Sequence, residues 1–246
     1  MQIHVITIFP EMFGPVLGAS LIKRAQERGL LKIALHDLRD HAHDKHRSVD
    51  DRPYGGGPGM VMKPEPIFEA VEAITQGAGM NVTPTPGRRQ TILMSPQGEP
   101  LSTALAQQLA GTEQLIILCG HYEGVDERVK AIVDRSVSIG DYVLTGGELP
   151  AMVFIDCVAR FIPGVIGHDQ ATEEESFTDG VLEYPQYTRP PIFRGMTVPD
   201  VLLSGNHGQI ARWRRLQAVA KTAALRPDLV TKHGKPVQPR GPSWSG

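Results

Sequence analysis

The stretch Ser138-Ile139-Gly140-Asp141-Tyr142-Val143-Leu144-Thr145-Gly146-Gly147-Glu148-Leu149-Pro150 sets three glycines and a proline around a short apolar run, where packing alone needs none of them. It reads as a strand end that opens into a ligand loop and then a helix. Ile92-Leu93-Met94 running into Ser95-Pro96-Gln97-Gly98, and Leu115 to Cys119 running into Gly120-His121-Tyr122-Glu123-Gly124, share the format. Loops at the carboxyl ends of buried parallel strands are where α/β proteins hold ligands, and glycine there lets the backbone approach a ligand closely. The chemistry on offer is recognition by backbone amides and carbonyls, with Tyr122, Tyr142 and Leu144 as walls around a largely uncharged ligand. The candidate contacts are Met94, Ser95 and Pro96, then Gly120, Tyr122 and Glu123, then Ser138, Ile139, Gly140, Tyr142, Leu144, Gly146, Gly147 and Pro150. Gly and Pro also punctuate ordinary tight turns, so the repetition of the format carries the reading. Neither Gly-x-x-x-x-Gly-Lys-Ser/Thr nor Gly-x-Gly-x-x-Gly occurs in these loops. Phosphate cradling and a nucleotide-dependent oxidoreductase are therefore disfavoured.

Such loops require strands to end on them and helices to follow. Ile3 to Phe9 and Lys32 to Leu38 have strand character, with a helix Ala19 to Arg28 between them that Gly29 stops. Pro64 and Pro66 suit the first turn of a helix whose buried stripe is Ile67, Phe68, Val71 and Ile74. Gly77 to Arg89 reads as a loop. Strand Thr91 to Met94, helix Ser102 to Leu109, strand Leu115 to Cys119, helix Asp126 to Val133, strand Ser136 to Ile139 and helix Glu148 to Phe161 complete the alternation, which predicts an α/β domain with a parallel sheet. Val198 to Leu203 and His207 to Leu225 follow as helices. In the second of these, Ile210, Trp213, Leu216, Ala220 and Ala224 share one side, while Arg214, Arg215 and Lys221 fall mostly on the other. The chain is expected to divide into an α/β domain over 1–166, an acidic linker over 167–180 and a helical domain over 181–246.

A chain of 246 residues that is 41% hydrophobic and 21% charged has the make-up of a soluble globular protein. The apolar stretch Leu149 to Ile166 contains Asp156 and Arg160, which are costly in lipid, and Pro163-Gly164 closes it. It predicts a buried helix rather than a membrane span. No secretory signal is read, and Cys119 and Cys157 each lie in an apolar run, so reduced thiols and a cytoplasmic location are expected. The net charge of −2 argues against capture of nucleic acid by the protein's overall field. Yet Asn206 to Gly246 carries eight Lys and Arg against Asp228 alone, and His168 to Glu183 carries six acidic residues and no basic one. That asymmetry predicts an acidic linker before a basic domain suited to phosphate contacts. His36, His41, His43 and His46 alternate with Asp37, Asp40 and Asp44, but the spacing fits no closed zinc site and Arg39, Lys45 and Arg47 crowd positive charge there. A polar loop touching nucleic acid is preferred and no metal site is assigned. Gly55-Gly56-Gly57-Pro58-Gly59 predicts unusual backbone angles near a ligand.

Several of these segments in one order resemble the bacterial tRNA (guanine-N1)-methyltransferases that modify guanine 37, next to the anticodon. The resemblance is carried by Met94-Ser95-Pro96-Gln97-Gly98, by Cys119-Gly120-His121-Tyr122-Glu123-Gly124-Val125-Asp126-Glu127-Arg128, and by Ser138 to Met152. It extends from Ile8-Phe9-Pro10-Glu11-Met12-Phe13, through Asp50 to Met60, to Tyr187-Thr188-Arg189-Pro190, and thins after about Pro227. It implies a SPOUT-type α/β domain with a deep trefoil knot, whose loops hold S-adenosyl-L-methionine, and a small basic α-helical C-terminal domain that binds the tRNA anticodon stem-loop. It also implies a homodimer in which the knot of one subunit meets the linker and small domain of the other. Ordinary topology disfavours knots, so that expectation comes from the resemblance alone. A Mg²⁺ requirement is implied too, with no ligand assigned.

Guanine N1 carries a proton at neutral pH. Its methylation needs a general base within hydrogen-bond reach and a group to stabilise charge developing on O6. The resemblance gives the base role to an aspartate before Ser-Phe in the linker, and the guanine-supporting role to an arginine before Phe-Ile-Pro-Gly. Here those positions are Glu175, before Ser176-Phe177, and Arg160, before Phe161-Ile162-Pro163-Gly164, so the base is longer by one methylene. Asp169 is the alternative base. An arginine ending a helix can instead pair with a carboxylate or cap carbonyls, and Glu173 to Glu175 can be solvated linker. Methylation at another RNA position and a non-catalytic RNA-binding module stay open as alternatives.

Overall fold

In the computed structural model, which describes residues 1–77, 88–167 and 175–232, the run Gln114–Cys119 is buried throughout and lies at the centre of a five-stranded sheet. The first unit, Met1–Asp169, contains β1 (Gln2–Thr7), α1 (Gly14–Leu17), α2 (Ser20–Glu27), β2 (Lys32–Asp37), β3 (Asp50–Asp51), β4 (Val61–Met62), α3 (Pro64–Gly77), β5 (Arg89–Pro100), α4 (Thr103–Ala110), β6 (Gln114–Cys119), β7 (Arg135–Ser138) and α5 (Glu148–Ala159). The sheet order is β2-β1-β6-β5-β7 and every pairing in it is parallel. Parallel strands are covered on both faces and so read as continuous apolar runs. Leu115, Ile117 and Cys119 pack on one face with Ile22, Leu105, Leu109, Phe154 and Val158. Ile116 and Leu118 pack on the other with Ile67, Ala70, Val71 and Ile74 of α3. The mixed α/β architecture with a parallel sheet is as the alternation predicts.

Two elements differ from their predicted form. The segment expected as a helix from Asp126 to Val133 is a 3₁₀ turn, Glu127–Ile132, in which Val129 is the buried residue. One buried side chain gives no stripe to hold an α-helix. Asp126 caps this turn and clamps the Arg128 guanidinium at 2.7 and 2.8 Å, hydrogen bonds that hold its carboxyl down at about 2. Strand β5 runs past Met94 to Pro100, but both Met94 and Glu99 align with Val137, so Ser95 to Gly98 leave the ladder. A Cβ on Gly98 would collide with the backbone of Ser136 and Val137, which is why glycine closes this excursion. The loop expected between Gly77 and Arg89 falls, at 78–87, outside the described residues.

One polar group inside this unit has a measurable consequence. Gln114 donates to His4 Nε2 at 3.1 Å, leaving His4 Nδ1–H to donate to His36 Nε2 at 2.9 Å. Burial first, then His36 and Lys32, hold the His4 imidazole down from 6.5 to about 4. Between those values the folded chain binds fewer protons than the unfolded one, so this stabilisation is full above 6.5 and is lost as pH falls toward about 4. Replacing both residues, His4→Gln with His36→Gln, is expected to flatten the acid loss of stability, read as urea midpoints across that range.

Both cysteines are free thiols, with Cys119 buried and Cys157 half-buried. Burial, with Glu148 adding, pushes the Cys119 thiol well above its ordinary value, which makes it a poor nucleophile. The apolar stretch from Leu149 forms α5, with Ala151, Phe154, Ile155 and Val158 fully buried. Among the described residues no helix is long and apolar enough to cross a membrane.

The second unit, Gln170–Gly246, contains the hairpin β8 (Ile192–Phe193) and β9 (Met196–Thr197), then α6 (Asp200–Leu203), α7 (His207–Leu225) and α8 (Pro227–Lys232). The buried face of α7 is not the one expected. Ala218 and Thr222 are buried, Ile210, Trp213, Arg214 and Lys221 are half-buried, and Leu216, Ala220 and Ala224 are exposed. The helix receives an extended segment whose backbone needs partners: Leu182 N–H donates to Thr222 Oγ1 at 2.8 Å, and Lys221 Nζ donates to the Glu183 carbonyl at 3.1 Å. Backbone satisfaction selects this polar face over the more apolar one. Of the basic residues assigned to the outer side, Arg214 lies over the Tyr184 ring at 4.7 Å, and Arg215, with Arg212, is exposed. Lys235 and Arg240 lie outside the described residues.

Candidate functional site

The carboxyl ends of β5, β6 and β7 and their loops surround a cavity of about 350 Å³. Every loop residue singled out from the sequence lines it: Met94, Ser95 and Pro96; Gly120, Tyr122 and Glu123; Ser138, Ile139, Gly140, Tyr142, Leu144, Gly146, Gly147 and Pro150. The third loop is held by short-range bonds. Gly140 N–H donates to Ser138 Oγ at 3.2 Å, that hydroxyl donates to the Gly140 carbonyl at 3.0 Å, and Tyr142 Oη donates to the Ile139 carbonyl at 3.2 Å. Gly140 has φ +152°, and a Cβ there would enter the Tyr142 ring. The second and third loops are joined backbone to backbone. Gly147 N–H donates to the Gly120 carbonyl at 2.7 Å, His121 pairs with Gly146, and a Cβ on Gly147 would stand 2.8 Å from Cys119 Cα.

Apolar and aromatic walls remain open to solvent, with Tyr122 45% and Tyr142 54% exposed, as suits surfaces that a ligand covers. Tyr122 also has φ +58°. A non-glycine residue held there stores strain of the kind found at ligand sites. The glycine run behaves as predicted in its angles, since Gly55, Gly56, Gly57 and Gly59 all have positive φ. A Cβ on Gly59 would collide with the side chain of Glu123, so this run packs directly behind one cavity wall. Glu127 and Lys130 also line the cavity and are paired at 2.7 Å, leaving Glu123 to set the sign of the local charge.

The two residues with expected catalytic roles are not among those that line the cavity. Arg160 is the C-cap of α5, whereas Gly147 and Pro150, at the start of that helix, line the cavity. A helix of this length separates the two ends by about 18 Å. Glu175 is half-buried in the second unit and begins a tight turn. Its carbonyl accepts from Thr178 N–H at 3.3 Å, Ser176 Oγ accepts from Glu183 N–H at 3.0 Å, and Phe177 takes φ +78°. Asp169, Glu173 and Glu174 lie outside the described residues. The histidines weighed as ligands are dispersed, with His36 paired to His4 and His43 to Glu69 at 2.7 Å. Among the described residues no group of three His, Cys, Asp or Glu could hold a metal ion.

Sequence reasoning passed over His121, which also lines the cavity. Its position between Gly120 and Tyr122, both singled out, was the available signal. It also missed Glu148, 2% exposed beneath the same loops.

Fold and cavity define a parallel α/β protein with a cleft at the carboxyl ends of adjacent strands, the position at which this architecture takes ligands. Sequence comparison makes the class specific. The chain belongs to the tRNA (guanine-1)-methyltransferase TrmD family, whose sequence profile matches residues 1–232. A protein named tRNA (guanine-N(1)-)-methyltransferase from Moorella thermoacetica is 58% identical over 233 residues, covering 94% of this chain and 91% of the relative. Proteins of the same name from Dictyoglomus turgidum and Geotalea uraniireducens are each 53% identical over 232 residues, with the same coverage of 94% and 91%.

Proposed function

We propose that this protein transfers a methyl group from S-adenosyl-L-methionine to N1 of guanine 37 in tRNA. The observation that carries the reading is the convergence of the three glycine-bearing loops on one cavity of about 350 Å³, in a chain of this family. Its backbone-lined walls, two tyrosines and Glu123 suit a nucleoside that also carries positive charge. The donor supplies an electrophilic sulfonium methyl. Guanine N1 attacks that carbon as the carbon–sulfur bond breaks, Glu175 takes the N1 proton, and the Arg160 guanidinium donates hydrogen bonds to O6.

Arg160 sits about 18 Å along α5 from the cavity end of that helix, and Glu175 belongs to the second unit. The placement of Arg160 supports a homodimer in which it completes the partner's cavity, and the family resemblance assigns Glu175 to the same shared site. In this reading 1–166 binds the donor, 167–180 is the linker that carries the base, and 181–246 binds the anticodon stem-loop in the cytoplasm. The exposed Arg212 and Arg215 support phosphate contacts by that last segment. The deep trefoil knot enters this reading through the family. A Mg²⁺ requirement stands without an assigned ligand. Incubation with labelled S-adenosylmethionine and unmodified tRNA, followed by mapping of the nucleoside, is expected to give N1-methylguanosine at 37. Methyl at another atom or position, or none from a donor-binding protein, overturns the reading.

A further inference from the structure

We infer that Glu148 is a positioning residue for the donor cavity, acting through His121; the inference rests on the donor reading above and deepens it. Glu148 is 2% exposed and is the first residue of α5, where the helix N-terminus favours a carboxylate. Thr7 Oγ1 donates to Glu148 Oε1 at 2.8 Å, tying the acid to the end of β1. The other oxygen, Oε2, lies 3.7 Å from Nδ1 of His121. That nitrogen is buried and has no hydrogen-bond partner among the described residues.

A bare Nδ1 lone pair facing a carboxylate would be repelled, so Nδ1 carries the proton. The gap exceeds hydrogen-bond length by about 0.7 Å, and closing it satisfies a buried donor that is costly to leave unpaired. The imidazole is already confined, with Phe9 and Tyr122 edge-on at 5.1 and 4.8 Å between centroids. Gly146 permits the approach, because a Cβ there would strike both Glu148 Oε2 and His121 Nδ1. With Nδ1–H directed at Glu148, Nε2 is left as the acceptor of a ring that lines the cavity. It suits an N–H or O–H of the donor's adenosine or amino-acid part. The same closure draws the loop after β6 onto the loop after β7, which Gly147 N–H already links to Gly120.

The test is ¹⁵N-histidine NMR and calorimetry on the full-length protein with S-adenosylmethionine. Donor-bound wild type is expected to show His121 as a single Nδ1–H tautomer. In Glu148→Gln an amide N–H faces the ring, so mixed tautomers and about tenfold weaker donor binding are expected, with tRNA affinity unchanged. His121→Gln, whose amide reaches the Nε2 position, is expected to keep part of the donor affinity, and His121→Asn, which reaches only Nδ1, is expected to lose it. Should Glu148→Gln not fold, Thr7→Val reads the same linkage, with the same tautomer mixing at a smaller loss of affinity. Unchanged tautomer and donor affinity in the folded variant overturn this inference alone. A wild-type protein that binds no donor overturns the donor reading with it.

Discussion

Glu175→Gln is expected to bind donor and tRNA nearly as the wild type does and to transfer methyl roughly 10²–10⁴-fold more slowly in a single turnover, the usual scale of general-base catalysis. The amide keeps size and polarity but cannot take the guanine N1 proton. The turn that presents this residue is held by neighbours that the substitution leaves alone, namely Ser176 Oγ with Glu183 N–H at 3.0 Å and Phe177 N–H with the Val181 carbonyl at 2.8 Å. An unchanged melting profile in the variant separates lost chemistry from a displaced loop. Across pH, the wild-type rate should fall where the base is protonated, and the amide variant should lack that limb, leaving a slow rate that rises as N1 itself ionises. Glu175→Asp keeps a carboxylate, in the shorter aspartate form that the resemblance implies, and should retain substantial activity. Asp169→Asn should be mild by comparison. Wild-type transfer by Glu175→Gln together with slow transfer by Asp169→Asn would move the base six residues earlier.

What could be read from the sequence was decided by local backbone chemistry. The glycines of the three loops were legible because close approach and left-handed φ leave a mark in residue type. Gly59 behind Glu123 and Gly140 beside Tyr142 are positions where a Cβ has no room. The buried strands were legible for a similar reason, since five apolar residues in a row from Leu115 to Cys119 leave little but a central parallel strand. Features set by tertiary partners were not legible. The face that α7 turns inward depends on where Leu182 N–H and the Glu183 carbonyl arrive, and no periodicity within the helix encodes that. The excursion from Ser95 to Gly98 likewise depends on the strand it returns to, Val137 being opposite both of its ends. His121 and Glu148 are 27 residues apart in the chain, and their approach hinges on a third residue, Gly146. For Glu175 and Arg160, types and flanking motifs were legible, while placement was not, because Arg160 stands at the opposite end of α5 from the cavity.

That placement makes the dimer testable through two inactive proteins. Gly140→Val forces a β-branched residue to φ +152° and drives its side chain into the Tyr142 ring, a wall of the proposed donor cavity. Valine disfavours that region strongly, while Tyr142, 54% exposed, can move without disturbing the core. The variant is therefore expected to melt cooperatively and to bind S-adenosylmethionine about 100-fold more weakly or worse by calorimetry. Unchanged donor affinity in the folded variant would remove the cavity assignment. Arg160→Ala is expected to bind donor and fail in transfer. When the two are allowed to exchange subunits, a mixed dimer contains one cavity with both defects and one with neither, provided that Arg160 serves the partner's cavity. Random pairing of equal amounts then restores about a quarter of the wild-type sites, as closed two-fold assembly requires. If Arg160 serves its own chain's cavity, each cavity in the mixed dimer keeps one defect and no activity returns. Sedimentation of the wild type as a fully active monomer would reject the shared site outright.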